Sequence, residues 1–221
     1  MSPTPAVVPV IMDIVGSRSL EDREASQRTI ESTFADIASH VTALEGWEAT
    51  VGDEFQAVYA TVPDALRATL MLRLALPEDS DCRFGIGFGT TRSVASQSTA
   101  RIQDGPGWWA ARAAIDEARR REKARNPALR SWFQDPGEDA AARSRAAIIN
   151  SFLLARDQVI STMNPRTRAQ VSGLMLGRTQ AEVARDHGVS QSAVSQALKN
   201  SGAAALISSL ELLQAAIDDR R

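Results

Sequence analysis

Two rhythms of apolar residues run along this chain. Val7, Val8, Val10, Ile11 and Met12 form a short, β-branched run closed by Gly16-Ser17, which predicts a buried strand. Ile30, Phe34, Ile37, Val41 and Leu44 then recur at helical spacing. Ser19 with Asp22 fits a capping box before them, and Gly46 is the expected stop. Trp47–Val51 and Phe55–Tyr59 read as two strands joined at Gly52-Asp53, a hairpin signal. Thr61, Pro63 and Asp64 open a second helix carrying Leu66, Leu70, Leu72 and Leu74. Arg83–Phe88 reads as an apolar strand with two glycines, and Gly105-Pro106-Gly107 opens a third helix reaching about Arg125. The order strand, helix, strand, strand, helix, strand, helix predicts an α+β fold: a ferredoxin-like βαββαβ sheet with one additional helix.

Beyond this the rhythm changes. Asn126-Pro127 and Gln134-Asp135-Pro136-Gly137 are rich in breakers, so a boundary is expected there, dividing 1–135 from 136–221. The second part has no strand-like run. Ile148, Ile149, Phe152, Leu153, Val159 and Ile160 mark a long helix, and four shorter ones are expected after it. Charge divides along the same line: residues 1–142 carry 15 basic and 21 acidic side chains, residues 143–221 carry 10 and 6. A basic C-terminal part favours a polyanionic partner there.

The stretch 179–199 gives that partner a chemistry. Thr179 with Glu182 caps one short helix, Ala181, Val183 and Ala184 permit close packing, Gly188 permits a left-handed turn, and Val189 is the apolar plug behind it. Ser190 caps a second helix whose Val194 and Leu198 face inward. Ser190, Gln191, Ser192, Ser195, Gln196 and Lys199 remain for the outer face. The pattern resembles a helix-turn-helix of the kind found in sigma-factor region 4. The resemblance implies that these six residues meet double-stranded DNA, with Gln and Ser suited to base edges and phosphates. Arg166, Arg168, Arg178 and Arg185 would add contacts indifferent to sequence. A helical hairpin used only for protein contacts is the other reading of the same spacing.

In the first part, Asp13 ends the first strand and Asp53 sits at the hairpin tip. The topology brings the two strands side by side, so two carboxylates are expected in one cleft. Such a pair suits Mg²⁺, and the turn and helix start at Gly16-Ser17 suit phosphate. Each acid alone also has a plain role, as a helix cap or turn residue. His40, His187 and Cys82 lie too far apart in the chain to suggest a zinc site, and one cysteine excludes an internal disulfide. No apolar stretch approaches the roughly 20 residues that span a bilayer. The N-terminus lacks a signal-peptide pattern, so no membrane and a cytoplasmic setting are expected.

Met12-Asp13-Ile-Val-Gly-Ser17, Val51-Gly-Asp53-Glu-Phe-Gln56, Arg83-Phe-Gly85-Ile-Gly87 and Asp104-Gly-Pro followed by Arg112 together resemble the SatD family. More distantly they resemble the palm domains of class III nucleotidyl cyclases and GGDEF proteins; Val51–Phe55 is one residue away from the GGDEF signature itself. The resemblance implies that Asp13 and Asp53 hold metal, that Gly16, Ser17, Gly52 and Arg112 meet phosphate, and that Glu54 is a candidate general base. There are departures. Trp108 stands where cyclases carry an asparagine, Arg101 stands where they place a base-reading acid, and Asp104 is the nearest acid. The expectation is a DNA-binding regulator, paired as a homodimer, whose N-terminal part binds a nucleoside triphosphate with Mg²⁺. The alternatives are a Mg²⁺-dependent cyclase or nucleotidyltransferase, and a degenerate palm serving only as a dimerisation scaffold.

Overall fold

A computed structural model describes residues 5–16, 23–50, 52–77, 80–94 and 102–218. The central sheet contains β1 (Val8–Ile14), β2 (Glu45–Ala49), β3 (Glu54–Tyr59), β4 (Cys82–Gly87) and β7 (Ser131–Gln134), in the order β2-β3-β1-β4-β7. A separate two-stranded ribbon pairs β5 (Arg92–Val94) with β6 (Ile102–Asp104). The helices are α1 (Arg23–Ala38), α2 (Val62–Ala75), α3 (Pro106–Ala124), α4 (Ala140–Ser161), α5 (Pro165–Met175), α6 (Gln180–Asp186), α7 (Gln191–Asn200) and α8 (Ala203–Asp218). Strands β1 to β4 pair antiparallel throughout, and the order β2-β3-β1-β4 with α1 and α2 between them is the ferredoxin-like arrangement.

Alternation along β1 assigns its two faces. Val8, Val10, Met12 and Ile14 pack with α1 and α2, together with Phe55, Ala57 and Tyr59 of β3 and Phe84 and Ile86 of β4. Ile11 and Val58 point the other way, onto Trp108, Ala111 and Ile115 of α3. Asp13 and Arg83 are register partners at the ends of β1 and β4, on this same face. The site therefore forms on the side of the sheet that α3 partly covers.

Helix α3 lies unusually close to β4. A Cβ built on Gly85 would stand 2.2 Å from the Ala111 carbonyl oxygen, and one on Gly87 would stand 2.2 Å from that of Gly107. Glycine at these two positions is thus a packing requirement, and it sets the height of the helix above the sheet.

Several expectations are corrected. The first helix ends at Ala38 rather than near Gly46. Leu44 is exposed and donates its N–H to Val58 O, so helical spacing there ran on into the approach to a strand, and Gly46 lies within β2. The ribbon β5–β6 was not foreseen. Nor was β7, which pairs parallel to β4 within the breaker-rich stretch. Its Trp132 and Phe133 are buried, but four residues are too few to show a period. The expected capping box at Ser19 and Asp22 lies outside the described residues.

The four helices expected after α4 are present among the described residues. Apolar packing is continuous across the boundary expected at 135/136. Ile149, Phe152, Leu153 and Ile160 of α4, Val171 and Met175 of α5, and Leu206 and Leu210 of α8 join the cluster that contains Leu66 and Leu70 of α2. Asn150 of α4 pins β7 by donating to Phe133 O at 2.9 Å and accepting from Phe133 N at 2.8 Å. No helix among the described residues is long and apolar enough to cross a membrane.

Gly85→Ala is expected to destabilise the fold by ~3 kcal/mol, because backbone atoms of α3 would have to retreat. Urea unfolding measures this, and a loss below about 0.5 kcal/mol would show that α3 can move without cost.

Candidate functional site

Between the C-terminal end of β1, the β2–β3 tip and α3 lies a cleft of about 320 Å³. Asp13, Gly16, Asp53 and Glu54 line it, joined by Arg83, Arg119 and Lys123. The two carboxylates at issue, Asp13 and Asp53, thus face one cleft. Gly52 and Arg112 are not among its lining residues, and Ser17 lies outside the described residues.

Asp13 is only 7% exposed. Both its oxygens accept from Arg83 Nη1, at 2.9 and 3.0 Å, and Oδ2 also accepts from Arg119 Nη2 at 2.5 Å. Arg83 is buried as well and donates through Nη2 to Glu122 at 2.5 Å. Arg119 differs, with a side chain 48% exposed. Asp53 is half-buried at the hairpin tip and makes no ion pair among the described residues. Glu54 accepts a two-pronged contact from Arg112, at 2.6 and 2.7 Å. That contact raises the Arg112 pKa, the Glu54 hydrogen bond being the main cause. Arg112 and Glu54 are therefore engaged with each other.

Three cationic residues that the sequence reading did not place here shape the cleft. Arg83 interrupts an otherwise apolar strand, which is a usable signal. Arg112, Arg119 and Lys123 follow at intervals of seven and four, one stripe of a helix. The run Arg119–Lys123 reads naturally as a solvated helix end, yet much of it is engaged. Arg119 meets Asp13, Arg121 lies 4.0 Å over the Trp132 ring, and Glu122 meets Arg83. Trp108 is buried against the sheet and is not among the residues lining the cleft, whereas its neighbour Trp109 is 61% exposed and donates to Asp104 at 3.0 Å. Asp104 also accepts from Arg92, and that contact chiefly holds its carboxyl below the usual range. Arg101 lies outside the described residues.

From the cleft a row of alternating charges runs inward. Glu122 meets Arg130 at 3.1 Å, Arg130 meets Asp81 at 2.6 Å, and Asp81 meets Arg73 at 2.5 Å. Arg73 lies 3.9 Å from Asp157, which pairs with Arg156 at 3.1 Å. Arg156 is fully buried, and desolvation lowers its pKa. It donates to Thr69 at 3.0 Å and to Ser131, so no interior charge of this row stands alone.

In the helical part, Thr179 and Glu182 form the reciprocal capping box: Glu182 N donates to Thr179 Oγ1 at 3.2 Å, and Thr179 N to Glu182 Oε2 at 2.7 Å. Gly188 has φ 60°, the left-handed turn between α6 and α7. Val183, Ala184 and Val194 form a small separate core, with Val189 and Leu198 packed on it. Ser190 caps α7 through Ala193 N. Gln191, Ser192, Gln196 and Lys199 are exposed, and Ser195 is half-buried. Arg168, expected among the contacts indifferent to sequence, donates to Arg73 O at 2.5 Å and Leu76 O at 2.9 Å, tying α5 to the end of α2. Arg166 donates to His187 O at 2.7 Å, and Arg178 pairs with Asp186.

An α+β protein with a ferredoxin-like sheet, an acidic and cationic cleft at one sheet end and a helical part packed beneath is the class this architecture defines. The chain belongs to the SatD family, whose description matches residues 7–209. No curated protein matches it. Among solved structures it is similar to the catalytic core of a rhodopsin-guanylyl cyclase with converted specificity in complex with ATPalphaS. That likeness has 17% identity and TM-score 0.41, covering 52% of this chain and 76% of that one. The guanylate cyclase domain of RhGC from Catenaria anguillulae in complex with GTP is similar at 16% identity and TM-score 0.41, over 50% and 72%. A regulator of polyketide synthase expression from Bifidobacterium adolescentis matches at 16% identity and TM-score 0.27, over 91% and 73%.

Two outcomes are expected. Arg83→Met, which takes from buried Asp13 two of its three hydrogen bonds and from Glu122 one of its two cationic partners, should cost ~3 kcal/mol in urea unfolding, while Arg119→Gln, at an exposed end, should cost under ~1 kcal/mol. Equal losses would contradict the burial difference. The Glu182 carboxyl is held below its usual range, chiefly by the Thr179 N–H. Its contribution is present above the ordinary glutamate pKa and is lost as pH falls through the lowered value. Protection of the amides at the start of α6, taken relative to their intrinsic exchange, should therefore fall in that acid range, and Glu182→Gln should remove this loss.

Proposed function

We propose that this protein is a DNA-binding regulator whose cleft holds a nucleoside triphosphate with Mg²⁺. The carrying observation is the convergence of Asp13 and Asp53 with Arg83, Arg119 and Lys123 in one cleft. Carboxylates suit a hard divalent cation, and guanidinium and ammonium groups suit phosphate oxygens. The donor set fits the ion in kind. In place, Asp13 is engaged by two arginines, so Arg119, the exposed one, is the group that must give way. Arg119 and Lys123, one turn apart on α3, would meet phosphate, while Arg83 stays with Glu122. The role expected for Arg112 passes to these residues, since Arg112 is taken by Glu54.

Ligand binding is favoured over turnover. Glu54, the candidate base, is ion-paired with Arg112, and Trp108, standing where cyclases carry a polar asparagine, is buried. The 136–221 part would read DNA through α7, with Gln191 and Gln196 exposed for base edges and Ser190, Ser192, Ser195 and Lys199 for phosphates. A homodimer would present two such helices to paired half-sites.

Thermal shift with ATP or GTP plus MgCl2 should raise the melting temperature, and Asp53→Ala should abolish the rise. No shift with either nucleotide would leave only the scaffold reading, and a new product from labelled nucleotide would make the protein an enzyme. In gel shifts against genomic fragments, Gln191→Ala with Gln196→Ala should lower sequence discrimination by about 1–3 kcal/mol per lost two-pronged contact. Unchanged discrimination would exclude α7 as the reading helix.

A further inference from the structure

Asp13 is already occupied by cations of the protein itself. Arg83 and Arg119 together make three hydrogen bonds to its carboxylate, and Arg83 is buried and backed by Glu122. Glu54 is balanced by Arg112. With Arg83 held by Glu122 as well, what remains in the cleft is Asp13 and Asp53 facing Arg119 and Lys123. Lys123 is exposed and makes no ion pair among the described residues. A hydrated divalent cation arriving alone would meet guanidinium groups on the carboxylate it needs. A polyphosphate arriving alone would meet Lys123 and the half-exposed Arg119, two cations able to turn toward it.

We propose that the cleft is a polyphosphate site first and a metal site second: Arg119 and Lys123 take the anion, and the departure of Arg119 uncovers Asp13 for the cation. This rests on the reading of the cleft as a nucleotide site and specifies its order of loading. Charge decides the order. Before loading, Asp13 is the anion that Arg83 and Arg119 hold. A polyphosphate replaces it as partner of Arg119, and only then do Asp13 and Asp53 have charge to offer a metal. The two ligands are therefore positively coupled, each raising the affinity for the other. Asp13 consequently competes with the anion when metal is absent and assists it when metal is present.

Isothermal titration of the full chain tests this with inorganic tripolyphosphate in EDTA, with MgCl2 alone, and with both. Tripolyphosphate should bind without metal, MgCl2 alone should give no saturable heat, and MgCl2 should bind once tripolyphosphate is present. Arg119→Gln should weaken metal-free binding at least tenfold. Asp13→Asn should tighten it severalfold while removing the gain from MgCl2, a pair of opposite signs that a plain metal site does not produce. Should Asp13→Asn fail to fold, Arg119→Gln and Lys123→Gln, both exposed on α3, carry the test. Saturable binding of MgCl2 alone, or metal-free binding unchanged in Arg119→Gln, would overturn the proposal. If ATP or GTP with MgCl2 binds but tripolyphosphate in EDTA does not, the loading order is wrong and the nucleotide site stands. If none of them binds, both fall.

Discussion

The close seating of α3 on β4 is the constraint on which the cleft depends. Gly85 and Gly87 leave no room for a side chain, so the helix backbone rests directly on the strand. That height brings Arg119 within 2.5 Å of Asp13 and Arg112 within 2.6 Å of Glu54, across two different strands. It also buries Trp108 between helix and sheet. A helix lifted by one methyl group would lose all three relations together. Geometry at the cleft is thus inherited from backbone packing in the middle of the sheet.

The row of charges from Asp13 to Arg156 shows a second kind of economy. Charges are costly to bury singly, but Arg83, Glu122, Arg130, Asp81 and Arg73 each lie between two partners of opposite sign. The row begins in the cleft, passes under α3 and ends where α2, β7 and α4 meet. It accompanies the continuous apolar cluster, so the helical part is joined to the sheet by both packing and charge.

Much of this was legible in sequence, for reasons that differ by element. The βαββαβ core was readable because its strands and helices carry long, clean periods, and Asp13 and Asp53 follow from topology once those are placed. Strand β7 escaped because it is four residues long beside prolines. The cations escaped for another reason. Arg119 and Lys123 look like any charged helix end until the Gly85–Ala111 approach is known, and only then does their stripe point at Asp13. Arg168 shows the reverse error: net charge marked the C-terminal part as basic, but this arginine is used on backbone carbonyls of α2. Charge counts say how much charge a segment has and nothing of which way it faces.

Helices α6 and α7 rest on a core of their own, in which Val194 is the only buried residue that α7 supplies. The neighbouring α5 and α8 belong instead to the main cluster. Exchanges at Gln191, Ser192, Gln196 and Lys199, all exposed on α7, therefore open no cavity in either core. The surface of α7 and the seating of α3 on the sheet are thus built on two different sets of packed side chains.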